Sequence, residues 1–367
     1  MASPHFSPSG EKCARSADPA AARSGLAAGG FLTSFQTGEK SRLGIHLASS
    51  NFISLNPAME SCLTFDPLYK ERIWGGRELE TVFGRSLPPN VKIGESWELV
   101  DRAADQSVVN SGAWRGRTLH ELWLGNRAEV FGENYCGNRF PLLIKILDSA
   151  EALSVQVHPP LKVAATFAGE PKTEVWYFAR TATGAGIYVG LEPGVDRQSF
   201  ERALNEGIVE QVVHRIPTEP HAFIYIPSGR LHAIDAGNLL FEIQQNSDTT
   251  FRVFDWNRVG ADGKKRELHI TESLACIDFD DHAPKLGEAV GEQLVHCDHF
   301  RVERWHLRKD RPANEERAFA IFQCAQGRVA TGGREFGPGD LFLIPAVCWG
   351  EKIQALTDDS IVLRTRL

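Results

Sequence analysis

The chain has 367 residues, 42% of them hydrophobic and 24% charged, with a formal net charge of −7. That is length enough for two domains, in the balance of a globular protein, and the acidic excess argues against a general nucleic-acid binder. No run reaches the roughly 18 apolar residues that span a bilayer. The seven scattered cysteines include no Cys-x-x-Cys pair, the usage of a reducing cytosol rather than of a disulfide framework or a structural zinc site.

Residues 1–58 are rich in Ala, Ser, Gly and Pro and carry five Lys/Arg against three Asp/Glu. Such a stretch buries too little apolar surface to offset the entropy of ordering it. It reads as a disordered or mis-started tail, with translation beginning at Met59; a targeting segment is the alternative. From Leu63 the texture is that of a folded protein. Tyr69 to Arg77 is an aromatic-basic segment closed by a Gly75-Gly76 turn. Ile93 to Val100 alternates as a strand does, and Leu119 to Phe131 has helical spacing of Leu119, Leu122, Trp123 and Val130. Phe140 to Leu147 is a dense apolar strand interrupted by Lys145. Burial of that lysine would demand a partner or an anion, and a head group reaching solvent is the plainer reading.

In Ser154 to His158 polar and β-branched residues alternate, so Ser154, Gln156 and His158 share one face while Val155 and Val157 pack behind. Pro159-Pro160 ends the strand. Lys172, Glu174 and Trp176 share a face of the next one. Ala182 to Gly186 reads as a hairpin turn, and Asp196 to Val213 as a helical excursion with Asp196 as N-cap. A strand from Ala222 to Ile226 and a Pro-Ser-Gly turn then deliver His232. Brought together on neighbouring strands, Gln156, His158, Glu174 and His232 make an N/O ligand set suited to zinc, with manganese, iron or cobalt as alternatives. Each histidine taken alone is more often a satisfied core or surface residue than a ligand.

Leu239 to Asp255 is unusually polar and bounded by aromatics; facing a metal cavity, its amides and hydroxyls would be substrate contacts. Beyond Leu294 short strands continue at turn-punctuated intervals. Where a second barrel would carry a ligand histidine, the sequence runs Ala346-Val-Cys-Trp349. Many short strands with Gly/Pro turns point to barrels or jelly rolls. The expected architecture is mainly β: a domain over 59–280 that carries the metal ligands and helical insertions, and a cupin-like domain without metal ligands over 281–367.

The residues match one family. Gly94-Glu-Ser-Trp-Glu98, Phe140-Pro-Leu-Leu-Ile-Lys145, Leu153-Ser-Val-Gln-Val-His-Pro159, Lys172-Thr-Glu174, Pro227-Ser-Gly-Arg-Leu-His-Ala233 and Glu242 to Arg252 resemble, in order and spacing, the type I phosphomannose isomerases in their short bacterial form. The resemblance runs from about residue 63 to the C-terminus and is weakest beyond 280. It implies a double-stranded β-helix (cupin) fold with a second, degenerate cupin. It also implies a zinc-dependent interconversion of mannose 6-phosphate and fructose 6-phosphate through an enediol(ate), in a cytoplasmic enzyme. The family's metal ligands fall on Gln156, His158, Glu174 and His232, holding one zinc per chain, and its catalytic arginine on Arg252. Acid/base or positioning roles fall on Lys172 and Glu242, and phosphate contacts on Ser154 and Lys145. The implied partner is a phosphorylated hexose, with no nucleic acid or membrane, on a monomer or weak homo-oligomer. Pro160-Leu161 and Pro220-His221 depart from the family pattern and put the local loops, rather than the chemistry, in question. The alternatives are a non-catalytic sugar-phosphate-binding cupin, or a cupin isomerase or oxygenase acting on another substrate.

Overall fold

A computed structural model of the chain describes residues 61–259 and 263–367; the expectations for residues 1–58 lie outside them. The strands that shape the site are, in chain order, β1 (Leu68–Gly76), β2 (Ile93–Leu99), β3 (Asp101–Arg102), β4 (Asp105–Gln106), β5 (Leu142–Ser149), β6 (Val155–Val157) and β7 (Glu174–Thr181). They continue with β8 (Gly186–Leu191), β9 (Val213–Pro217), β10 (Phe223–Ile226), β11 (His232–Ile234), β12 (Asn238–Gln245) and β13 (Phe251–Phe254). Apart from the β3–β4 ribbon they form two antiparallel sheets, one ordered β1-β2-β5-β12-β7-β10 and the other β13-β6-β11-β8-β9. This is the mainly β architecture expected.

Strand alternation decides what each sheet buries. On β12, Leu239, Phe241 and Ile243 join a large core with Ile144, Ile146, Val175 and Tyr177, and with Ile321 and Leu343 from the C-terminal part of the chain. The opposite face of β12 carries Leu240, which packs with Trp176, Ile187, Val189 and Ile234 in a core shared by both sheets. Covered on both faces, β5 is buried along its whole length, which explains its apolar density. Lys145 shares the inner face of β5 with Leu147, so its head group is enclosed and does not reach solvent. In the second sheet Val155, Val157, Ala233 and Val253 pack outward against Phe200 and Cys276, from the helices Arg197–Glu206 and Ile270–Cys276. The polar residues of that sheet are left facing in.

The Arg197–Glu206 helix starts as its sequence dictates: the Asp196 carboxylate accepts from Ser199 N–H in a capping box, and Gly207 closes the helix at φ 72°. Three local expectations are corrected. The Leu119 to Phe131 pattern divides at Asn126 into helices Leu119–Gly125 and Arg127–Val130, because Asn126 leaves the helical region at φ −128°, ψ 28°, where its side-chain amide bonds to Arg117 and Glu129. Gly75 and Gly76 remain inside β1 and make no turn. A Cβ on Gly75 would sit 2.4 Å from Gly94 N, so glycine serves close backbone approach there. Ala182 to Gly186 does turn, but it links β7 and β8, which belong to different sheets, and so is not a hairpin.

The C-terminal strands make a five-stranded sheet and a four-stranded one. Trp305, Phe322, Phe336, Phe342 and Val362 fill a further core there. No helix among the described residues is long and apolar enough to cross a membrane.

Candidate active site

In the second sheet, Gln156 on β6 lies opposite His232 on one side and opposite Arg252 on the other. Directly paired residues of antiparallel strands point to the same face, so the amide, the imidazole and the guanidinium form one row toward the first sheet. His158 follows β6 on the same alternation. The carboxylate comes from elsewhere than expected: Glu174 opens β7, in the facing six-stranded sheet, not on a strand beside β6.

His158, Glu174 and His232 are all buried, and one donor atom from each lies within 4.8 Å of the others. His158 donates from Nδ1 to Thr249 O at 2.8 Å, and His232 from Nδ1 to Arg230 O at 2.8 Å. Each imidazole therefore turns its Nε2 inward, 3.6 Å from a Glu174 oxygen. Neither Nε2 and neither Glu174 oxygen has a hydrogen bond of normal geometry, although Lys172 Nζ stands 3.0 Å from Glu174 Oε2. Buried polar atoms without partners are costly; the two Nε2 atoms and Glu174 Oε1 converge on one point, with Oε2 also facing the Lys172 ammonium, and the set fits a bound cation. Burial and nearby Lys172 push the His158 pKa down to about 3, and burial lowers that of His232. Burial alone would raise the Glu174 carboxyl, yet Lys172 and His158 hold it well below the usual carboxylate range. Neutral imidazoles and an ionised carboxylate are the ligand forms a divalent metal takes.

Beside this cluster is a cavity of about 400 Å³ whose wall includes Ser154, Gln156, Lys172, Glu242 and Arg252. Lys145 Nζ, also on the wall, is 3.1 Å from Glu242 Oε1 and 4.0 Å from Glu95 Oε2. Lys172 Nζ is 3.9 Å from the same Glu242 oxygen, and Glu242 Oε2 accepts from Trp176 Nε1 at 3.1 Å. Trp176 also stands edge-on to the His232 ring. Arg252 donates from Nε to Ser154 Oγ at 3.3 Å and from Nη1 to Glu267 O at 2.8 Å. Arg72, Lys145, Lys172, Arg252 and Arg266 line the wall against Glu95, Glu242 and Asp248, a cationic pocket in an anionic protein. Burial and nearby Arg266 lower the Arg252 pKa from the ordinary arginine value.

All nine residues singled out in the sequence thus line this cavity or the cluster beside it. Sequence reasoning missed the Arg72–Glu95 pair, with Nε 2.9 Å from Oε1, which stands at the end of the lysine–carboxylate series. Glu95 alternates with Trp97 in the Gly94-Glu-Ser-Trp motif, and that was the signal available. Arg266 had none.

Comparison with known proteins points to one family. Residues 62–177 match the family model of the phosphomannose isomerase type I catalytic domain. The chain is 36% identical over 296 residues to the mannose-6-phosphate isomerase ManA of Bacillus subtilis (strain 168), covering 77% of this chain and 92% of that protein. It is 34% identical over 286 residues to a mannose-6-phosphate isomerase of Streptococcus mutans serotype c, covering 75% and 89%. The crystal structure of the mannose 6-phosphate isomerase from Bacillus subtilis superposes with a TM-score of 0.73 at 31% identity, over 84% of this chain and 100% of that one. The chain shares that structure's cupin fold. A phosphomannose isomerase variant from Salmonella typhimurium, at 15% identity and a TM-score of 0.66, has the same fold.

Proposed function

The chain belongs to the type I phosphomannose isomerases and is a mannose-6-phosphate isomerase; from that premise we propose that it interconverts mannose 6-phosphate and fructose 6-phosphate at a zinc ion, through an enediol(ate). The observation that carries the metal is the set of orphaned donors on His158, Glu174 and His232, with Gln156 in register beside them. Zinc bound there would act as a Lewis acid toward the carbonyl and hydroxyl oxygens of the sugar, worth several kcal/mol.

The remaining steps fall to the chain's own side chains. Ser154 and Lys145 take the phosphate end of the substrate, with the cationic wall drawing the dianion in. Glu242 has one oxygen, Oε1, flanked by Lys145 and Lys172. It is the group we assign to remove the proton at carbon 2, and Lys172 is assigned to orient the hydroxyls. Burial works against the Lys172 ammonium, but nearby Glu174 and Glu242 raise its pKa, and the two carboxylates hold its head group in place for that orienting role. Arg252 stabilises charge that develops on the enediolate, with its planar fork aimed across the Ser154 hydroxyl. No disulfide joins the described cysteines, which suits a cytoplasmic enzyme. The test is metal analysis together with a coupled assay on mannose 6-phosphate. A metal-replete chain with no turnover on that sugar overturns the reading.

A further inference from the structure

On the metal reading above, we infer that Glu170 is a positioning residue that holds Thr249 against His158 and thereby sets the metal-facing side of that histidine.

A carbonyl oxygen can only accept, so the 2.8 Å contact of His158 Nδ1 with Thr249 O fixes the ring proton on Nδ1 and leaves the Nε2 lone pair turned inward. Thr249 itself has no strand to hold it, because it lies in the loop between β12 and β13. Glu170 supplies the anchorage. Its backbone N–H donates to Thr249 Oγ1 at 3.0 Å, and its carbonyl accepts from Ser247 Oγ at 3.0 Å. Ser247 Oγ in turn accepts from Thr249 N–H at 3.2 Å.

The Glu170 side chain is fixed just as firmly. Arg102 donates to Oε2 at 3.0 Å and Arg139 to Oε1. The same Arg102 nitrogen also reaches Asn246 O at 3.0 Å, so one guanidinium ties Glu170 to the start of the Thr249 loop. Packing adds to this: a Cβ on Gly169 would come within 3.0 Å of Thr249 Cγ2 and 3.2 Å of Pro159 Cγ, so the segment lies directly on the loop and on the neighbour of His158. Glu170 thus joins the link between β6 and β7, which carries His158 and Glu174 at its two ends, to the loop that presents the Thr249 carbonyl. It touches no proposed ligand atom and acts through Thr249.

Outer partners of metal-bound histidines typically cost 10- to 100-fold in metal affinity when removed. The experiment is zinc competition against a colorimetric chelator on the full chain, with melting temperature measured on the same samples. Glu170→Ala, which keeps the backbone bonds to Thr249 and Ser247 but loses both arginine contacts, should raise the zinc dissociation constant about 10-fold, the low end of that range, because Glu170 acts one step removed. Glu170→Gln, which keeps the size of the side chain and an oxygen to accept from the arginines but loses the charge, should raise it less, as should Arg139→Gln. The His158 Nδ1 proton should exchange faster by NMR in all three variants. A Glu170→Ala chain that melts lower yet binds zinc as tightly as wild type makes Glu170 a structural loop residue and overturns the inference. If that variant does not fold, unchanged affinity in Glu170→Gln has the same force. Wild type that takes up no zinc overturns the metal reading first and this inference with it, an outcome distinct from equal binding by wild type and variant.

Discussion

Lys145 and Glu242 stand opposite each other on β5 and β12, with Nζ 3.1 Å from Oε1, in a row that continues to Trp97 on one side and Trp176 on the other. Neither charge is isolated: Lys145 is shared between Glu95 and Glu242, and Lys172 between Glu242 and Glu174. Glu242 therefore sits between two ammonium groups, which compensate its buried carboxylate and fix its position in the row.

That position yields the first prediction. Glu242→Gln should lower turnover on mannose 6-phosphate by about 10² to 10⁴, the range of a positioned acid/base group, with the Michaelis constant little changed. Lys145→Met should instead act mainly on the Michaelis constant. Steady-state kinetics of both variants check this; near-normal turnover in Glu242→Gln transfers the proton to another group.

The second prediction concerns acid stability. Burial alone would raise the Glu95 carboxyl, but Lys145 and Arg72 bring it down from 4.5 to about 2. A carboxylate depressed in the folded state stabilises the fold above its unfolded pKa, and that stability is lost as pH falls through the folded pKa. The window is thus about pH 4.5 down to 2, and the contribution is on the order of 3 kcal/mol. Asp148 has the opposite sign: burial raises its pKa to about 6, so its contribution is present at low pH and lost as pH rises through 6. Denaturant midpoints from pH 2 to 7 should show Glu95→Gln less stable at neutral pH, converging with wild type toward pH 2. Parallel curves would disprove the assignment.

Much of this was legible in the chain, and what was not has a physical reason. Alternation from Ser154 to His158 places the polar face, and the Asp196 cap places a helix, because both are local. The pairing of His232 with β6, and the arrival of Glu174 from the facing sheet, depend on strand order, which short-range periodicity does not encode. Gly75-Gly76 carries the composition of a turn, but its reason is the backbone of Gly94, distant in sequence. The carbonyl of Thr249 leaves no trace in side-chain chemistry, since any residue supplies one.

A third prediction follows from the core shared by the two sheets, which is built of aliphatic and aromatic side chains independent of any metal. Chelation should abolish activity while far-UV circular dichroism stays near native. Returning zinc at a hundredfold over its dissociation constant should raise stability by about 2.7 kcal/mol. Turnover in a demonstrably metal-free sample would remove the metal from the reaction.

The fourth prediction places the N-terminal boundary. The bridge between Leu63 and Leu343 and the burial of Cys62 show folded contacts already in place at the first residues described. A chain beginning at Met59 should keep full turnover and solubility. A large loss of either would make residues 1–58 part of the working protein.

The last prediction separates catalyst from binding protein and concerns Arg252. The guanidinium is tethered by Ser154 Oγ and the Glu267 carbonyl, and is held on β13 in register with Gln156. Its orientation is thus set before substrate arrives, as charge stabilisation without reorganisation requires. If the charge it meets develops only on the enediolate, Arg252→Ala should depress turnover far more than affinity, by at least about 10² to 10³. Arg252→Lys should rescue poorly, because an ammonium cannot reproduce the planar fork that bonds Ser154 and Glu267 together. Zinc content should be unchanged, since Arg252 points into the cavity beside the ligand cluster and is not a ligand. Kinetics and metal content on one preparation decide the matter. Near-normal turnover with only a raised Michaelis constant would reduce the arginine to a ground-state anion contact, whereas a parallel loss of zinc would make it a support for Gln156.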